Sequence, residues 1–150
     1  MAASTFDFYN SFTEYSMDGT IDVDTNTFSG TLWLSTSNAA TLTNSVYGDL
    51  TNEVANANGY TTGGSALTSV TWVRSGGTTT FDSADVVWTA SGGSITARFF
   101  AMDASSVSTP VVRPLVGFST LDTTPADVTA TDGNTLTVAP SASGWFTLST

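Results

Sequence analysis

Short runs of β-branched and aromatic residues, separated by turns rich in Gly and Ser, recur along most of this chain. Many runs alternate apolar and polar positions, which is the period of a half-buried strand. Two turns, over residues 75–77 and 91–93, each contain adjacent glycines and predict hairpins. We predict about eight strands, over residues 31–35, 67–74, 78–81, 86–89, 95–102, 115–121, 135–138 and 145–148. This pattern predicts an all-β fold, an antiparallel β-sandwich or barrel-like domain with a short N-terminal helix.

The stretch before the first strand has a helical rather than an alternating pattern. Phe8, Phe12 and Tyr15 lie at i, i+4 and i+7. Ser4 and Asp7 fit a capping box. We therefore predict a helix over residues 4–16, within an N-terminal helical arm of residues 1–18. The whole chain, residues 1–150, is expected to form a single domain.

The aromatic residues of this arm are too many to leave in solvent. They pack either against the chain's own β-core or against a neighbour, and we favour a mixed outcome in which deleting residues 1–16 spares folding but impairs assembly. The candidate partner interface consists of five aromatic side chains: Phe6, Phe8, Tyr9, Phe12 and Tyr15. Residues 37–64 are predicted to form a long polar loop with one helical turn near residues 50–54, and a loop of this length usually makes contacts or has a function.

The composition excludes many kinds of chemistry. The chain has no His, no Cys and no Lys, three Arg, 13 acidic residues and a net charge of -10. Catalytic systems based on His or Cys, thiol redox sites and ordinary zinc sites are therefore absent. We predict no enzyme activity, catalytic residue or cofactor. Nucleic acid and anionic membranes are not expected partners, because both repel such a charge. No signal peptide or membrane-spanning run is evident, so we expect synthesis in the cytoplasm.

Three residue patterns have possible functional interpretations. Asp22, Asp24 and Asn26 alternate like calcium ligands, but Thr27 and Trp33 occupy the EF-hand positions that require Gly and Glu, so we interpret the segment as an acidic turn. The four Trp residues resemble a sugar platform, but they lie in predicted strands, so we expect most to be core, with Trp72 and Trp88 on facing or neighbouring strands. The carboxylates show no catalytic pairing, and each Arg is expected to have a carboxylate partner.

Several segments resemble small virion proteins of tailed bacteriophages. They are 17–25 (MDGTIDVDT), 50–55 (LTNEVA) leading into 59–64 (GYTTGG), 81–89 (FDSADVVWT) with 95–98 (ITAR), 114–118 (PLVGF) and 133–138 (GNTLTV). The resemblance covers most of the chain and departs most at residues 36–47. It is to head decoration, or capsid cement, proteins. It implies a non-enzymatic β-rich protein on the capsid exterior, synthesised in the host cytoplasm and commonly trimeric, that binds the major capsid protein and stabilises the shell.

Other functions stay open beside this hypothesis. One is a phage tail or fibre component, or a carbohydrate-binding adhesin module. Another is a small hydrolase that uses paired carboxylates. Copy number on a particle, glycan-dependent Trp fluorescence and loss of activity on replacing one carboxylate would separate them.

Overall fold

The computed structural model describes residues 4–124 and 126–149. Within these residues the chain forms twelve strands, one α-helix and one 3-10 turn, Tyr47–Asp49. The elements in chain order are β1 Asp7–Phe8, α1 Asn10–Met17, β2 Ser29–Trp33, β3 Ser65–Ala66, β4 Thr71–Ser75, β5 Thr78–Asp82, β6 Val86–Thr89, β7 Ile95–Ala97, β8 Phe99–Asp103, β9 Leu115–Thr120, β10 Val128–Ala130, β11 Thr135–Val138 and β12 Phe146–Ser149. The predicted all-β fold with one short helix is confirmed.

The strands form four antiparallel sheets. The central sheet has the order β1-β9-β8-β2-β3, and a three-stranded sheet has the order β12-β5-β4. The remaining strands pair as β10 with β7 and as β11 with β6. The arrangement is sandwich-like and not a closed barrel, so the first of the two predicted architectures is the correct one.

The central sheet is buried on both faces. One face carries Leu32 and Phe100 into the main core, where the smaller sheets supply Phe81, Trp88 and Leu136. The opposite face contributes to a second core of seven buried residues: Tyr9, Trp33, Ala39, Leu50, Ala101, Leu115 and Phe118. Ala39 and Leu50 come from the long segment after β2, so this segment covers the sheet as a second layer would.

The helix begins at Asn10 and not at Ser4, so the predicted helix start and capping box are wrong. Ser4 instead hydrogen-bonds to Thr120, and Phe8 in β1 pairs with Gly117 in β9. Only a glycine at position 117 lets β1 lie this close to β9, because a Cβ there would clash with a ring atom of Phe6 at 2.5 Å. Pairing with the central sheet thus overrides the helical spacing of the first aromatic residues.

The two glycine turns have different outcomes. Ser75 pairs with Thr78 across Gly76 and Gly77, so the predicted first hairpin is confirmed. The predicted second hairpin is wrong, because β6 pairs with β11 and β7 pairs with β10. The turn at residues 91–93 is therefore a corner between two sheets. Its Gly92 N–H donates to Asp132 at 2.8 Å, which fixes the corner from a distant part of the chain.

The predicted helical turn at residues 50–54 is also wrong. Leu50 is extended, and Glu53 forms an antiparallel bridge with Trp33. Val54 N–H donates to the carbonyl of Leu32 at 2.9 Å. The segment is extended because it satisfies backbone groups of β2 that would otherwise be unpaired.

Candidate functional site

A polar cluster lies where the long segment after β2 meets the segment between β8 and β9. Glu53 is its centre, because the carboxylate accepts hydrogen bonds from the hydroxyls of Tyr47 and Tyr60. The Gly63 N–H also donates to Glu53, at 2.8 Å. Tyr60 accepts in turn from the Leu32 N–H at 3.0 Å, which connects the cluster to β2. Burial, and then the bond to Glu53, raises the pKa of Tyr47 to about 12 and raises that of Tyr60 further.

An ion pair completes this polar cluster. Arg113 donates from Nε and Nη2 to the two carboxylate oxygens of Asp103, both at 2.8 Å. Its Nη2 also donates to the carbonyl of Gly63, and its guanidinium lies 3.9 Å from the ring centroid of Tyr47. Asp103 is 1% exposed, and burial raises its pKa to about 6 despite the opposing effect of Arg113.

The polar cluster has the geometry of a structural network. Each carboxylate oxygen of Glu53 and Asp103 already accepts at least one hydrogen bond within the chain. Neither carboxylate lines the grooves described below. The cluster instead ties residues 47–63 and Arg113 to the edge of the central sheet. Sequence reasoning missed this cluster, because its members are separated by up to 66 positions, from Tyr47 to Arg113.

An apolar groove lies between α1 and the β12-β5-β4 sheet and is open to solvent. We call it the helix groove, and its volume is about 490 Å³. Phe146 lines it, with its ring centroid 4.9 Å from that of Phe8 and 6.0 Å from that of Trp72. The groove is lined by twelve residues: Phe8, Phe12, Thr13, Ser16, Met17, Gly19, Ile21, Asp22, Val23, Trp72, Phe146 and Leu148.

The rim of the helix groove leaves apolar side chains in solvent. Met17, at the end of α1, is 87% exposed, and Leu148 on β12 is 53% exposed. Among the described residues of the lining, Asp22 alone is charged. A smaller groove, which Arg74 and Thr79 line, continues past Leu148 along the same sheet. The two grooves share Leu148, with Asp22 in the lining of the helix groove and Arg74 in the lining of the smaller one.

The predicted interface residues divide between the cores and the grooves. Tyr9 is buried in the second core, and its hydroxyl donates to the carbonyl of Ala39. Phe12 is buried, Phe8 is half-buried, and both line the helix groove. Phe6 packs on Trp145 and lines a separate groove, whereas Tyr15 packs half-buried against the main core. Removal of residues 1–16 would therefore open both cores.

The other members of the helix groove are not among the predicted interface residues. Trp72 was expected in the core beside Trp88, but it is half-buried at the groove, whereas Trp88 is buried. The sequence gives one signal, because Leu148 lies between the polar residues Thr147 and Ser149, which is the alternation of a half-buried strand. Alternation alone does not show which apolar face lacks a covering layer.

The remaining predicted features can be placed as follows. Asp22 Oδ1 accepts from the Asp24 N–H, and Asn26 Oδ1 accepts from the Asp22 N–H, so these oxygens close a turn. Within residues 4–124 and 126–149, no three acidic side chains group as a metal site would require. The same residues contain no helix long and apolar enough to cross a bilayer.

Comparison with known proteins gives no match for this chain. No protein-family model, no curated protein and no solved structure matches it.

Proposed function

We propose that this chain is a non-enzymatic virion structural protein, a capsid decoration protein that binds the outer head surface of a tailed bacteriophage. Its partner is the major capsid protein, and its location is the capsid exterior. The resemblance of several segments to decoration proteins supports this proposal. So does the net charge of -10, which favours an outward face that keeps particles apart.

The observation that carries the proposal is the uncovered helix groove. An open apolar groove with an 87% exposed Met17 at its rim is typical of a protein interface. A docking protein needs only such an apolar anchor, hydrogen bonds and repetition by symmetry. The polar cluster, whose carboxylates are engaged within the chain, serves this role by holding the scaffold rigid.

The alternative proposal is a tail or fibre component, or a carbohydrate-binding module. Trp72 favours it, because this half-buried indole lines the helix groove and an aromatic face in a groove can stack on a sugar ring. Titration of the wild-type protein with glycans, followed by Trp fluorescence, tests this alternative directly. The variant Trp72→Phe is the reference, because it lacks the indole that would stack on the sugar. A change that needs Trp72 would support the alternative.

Binding to undecorated heads of the phage that encodes the chain tests the main proposal. The variant Met17→Lys places a charge at the groove rim, and Leu42→Lys places the same charge at another exposed site, where Leu42 is 43% exposed. Both substitutions lie in solvent and should leave the fold intact. We expect Met17→Lys to lose head occupancy and Leu42→Lys to keep it.

Other results would contradict the proposal. If the wild-type protein leaves heads undecorated, the head assignment is wrong. If instead it decorates tails or fibres in few copies, the alternative is correct. Full occupancy by Met17→Lys would show that the helix groove is not the docking site.

A further inference from the structure

The outer edge of β4 has no partner strand in the part of the chain that the structure describes. β4 ends the three-stranded sheet, and β5 occupies only its inner edge. Natural edge strands are usually protected by Pro, charged side chains, a bulge or a covering element. β4 has no Pro or bulge, Arg74 is its one charged residue, and its Val73 is 60% exposed. Such an edge can template another strand.

The hairpin geometry determines which backbone groups of β4 are free. Ser75 and Thr78 flank a two-residue turn, and such flanking residues form a hydrogen-bonded pair. By alternation, Val73 also bonds inward to β5, whereas the N–H and C=O groups of Trp72 and Arg74 point outward. The carbonyl of Phe81, opposite Trp72, accordingly accepts from Trp145 on its other side, at 2.9 Å.

Arg74 is the one arginine without an ion pair among the described residues. Arg98 pairs with Asp127 and Arg113 pairs with Asp103. Within the described residues, the one hydrogen bond of the Arg74 side chain is to the carbonyl of Gly76 in its own turn, at 3.0 Å. An uncompensated guanidinium at an open edge, in a chain of net charge -10, indicates a contact that the single chain does not supply.

We propose that β4 pairs antiparallel with β4 of a second copy, about a two-fold axis at Val73. This centring uses all five residues of the strand. It places Arg74 of one copy opposite Trp72 of the other as a hydrogen-bonded pair, with Val73 opposite Val73. Centring at Arg74 would oppose two like charges, and centring at Trp72 would leave Arg74 without an aromatic partner.

The side chains reinforce this register. Trp72 and Arg74 lie on the same face of β4, because side chains two apart in a strand point the same way. The guanidinium of one copy therefore meets the indole of the other, which is a cation–π contact. Since Trp72 lines the helix groove, the second copy adds a positive charge to the rim of that groove.

This inference is independent of the proposed function. A two-fold contact also differs from the trimer that the decoration-protein resemblance implies. Sedimentation equilibrium of the full chain should give a mass of two chains of 15.5 kDa each as the concentration rises. A monomer at every concentration, or a trimer, would overturn the two-fold assignment.

Cysteine cross-linking tests the register itself, because the chain has no Cys of its own. Val73→Cys places two thiols in a non-hydrogen-bonded pair, a spacing that a disulfide spans. Val87→Cys is the matched control, since Val87 is 48% exposed on β6. We expect Val73→Cys to form covalent dimers at least roughly tenfold faster than the control. Equal rates for the two variants would refute the proposed pairing.

Discussion

Arg113 holds Asp103 through two hydrogen bonds of 2.8 Å although the carboxylate is almost fully buried. Burial still outweighs the attraction of the guanidinium, so the pKa of Asp103 rises from 3.8 to about 6. Between pH 3.8 and about pH 6, Asp103 therefore carries a proton in the folded protein and has released it in the unfolded chain. The pair thus links the pH dependence of stability to one buried position.

We expect the free energy of unfolding to fall as the pH rises, because Asp103 loses its proton. The stabilisation from protonated Asp103 is fully present below pH 3.8 and is lost as the pH rises through about 6. The shift corresponds to roughly 3 kcal/mol in the free energy of unfolding. Urea unfolding from pH 4 to 7 measures it, with Asp103→Asn as the reference that lacks this ionisation. Parallel curves for the two proteins would show that the pKa of Asp103 is not raised.

Tyr60→Phe should destabilise the protein by about 1–3 kcal/mol, because it leaves the buried Leu32 N–H without an acceptor. It also removes one donor from Glu53. Tyr15→Phe is the control, since Tyr15 is half-buried and its hydroxyl makes no hydrogen bond within the described residues. Thermal and urea unfolding of both variants give the comparison. If both variants lose the same amount of stability, the hydroxyl of Tyr60 does not stabilise β2.

Gly64→Ala should lower the free energy of unfolding more than Gly92→Ala does, although both glycines have positive φ, at 77° and 78°. A Cβ at Gly64 would lie 2.0 Å from the carbonyl oxygen of Gly30, whereas Gly92 has open space. The backbone conformation costs roughly 1 kcal/mol or more at both sites. The clash in Gly64→Ala adds a further 1–3 kcal/mol, approximately. Matching unfolding midpoints would contradict this close approach of Gly64 to β2.

Trp88→Ala should cost about 3–5 kcal/mol, because the side chain is buried in the main core. Trp72→Ala should cost about half as much, since the indole is half-buried at the helix groove. Denaturant unfolding of both variants measures the difference. A larger loss for Trp72→Ala would show that the groove is closed in solution.

The first hairpin could be predicted from the sequence because its signal is local. Gly76 and Gly77 allow a tight turn, and the flanking residues already alternate. Gly92 and Gly93 give the same local signal, but hydrogen bonds to Asp132 and to Asn58 hold that turn as a corner. A pattern within a few residues cannot reveal a partner forty positions away.

The helix groove was partly predictable for a related reason. The helical spacing singled out Phe8 and Phe12, which do line it. Trp72, Phe146 and Leu148 come from two strands that meet only through β5. The position of these strands against α1 depends on packing, so their shared groove is visible only in the fold.

The segment between β2 and β3 has consequences for how the molecule opens. Asn38 accepts from the Thr51 N–H and donates to the carbonyl of Asp49, both at 2.8 Å, so a side-chain amide takes the place of a strand ladder. Opening the segment would uncover Trp33 and Ala101 of the second core. Its bonded amides should therefore exchange with deuterium as slowly as those of β2, and the segment should resist proteases despite its length and polarity. The first proteolytic cut is instead expected at the exposed Gly76–Gly77 tip.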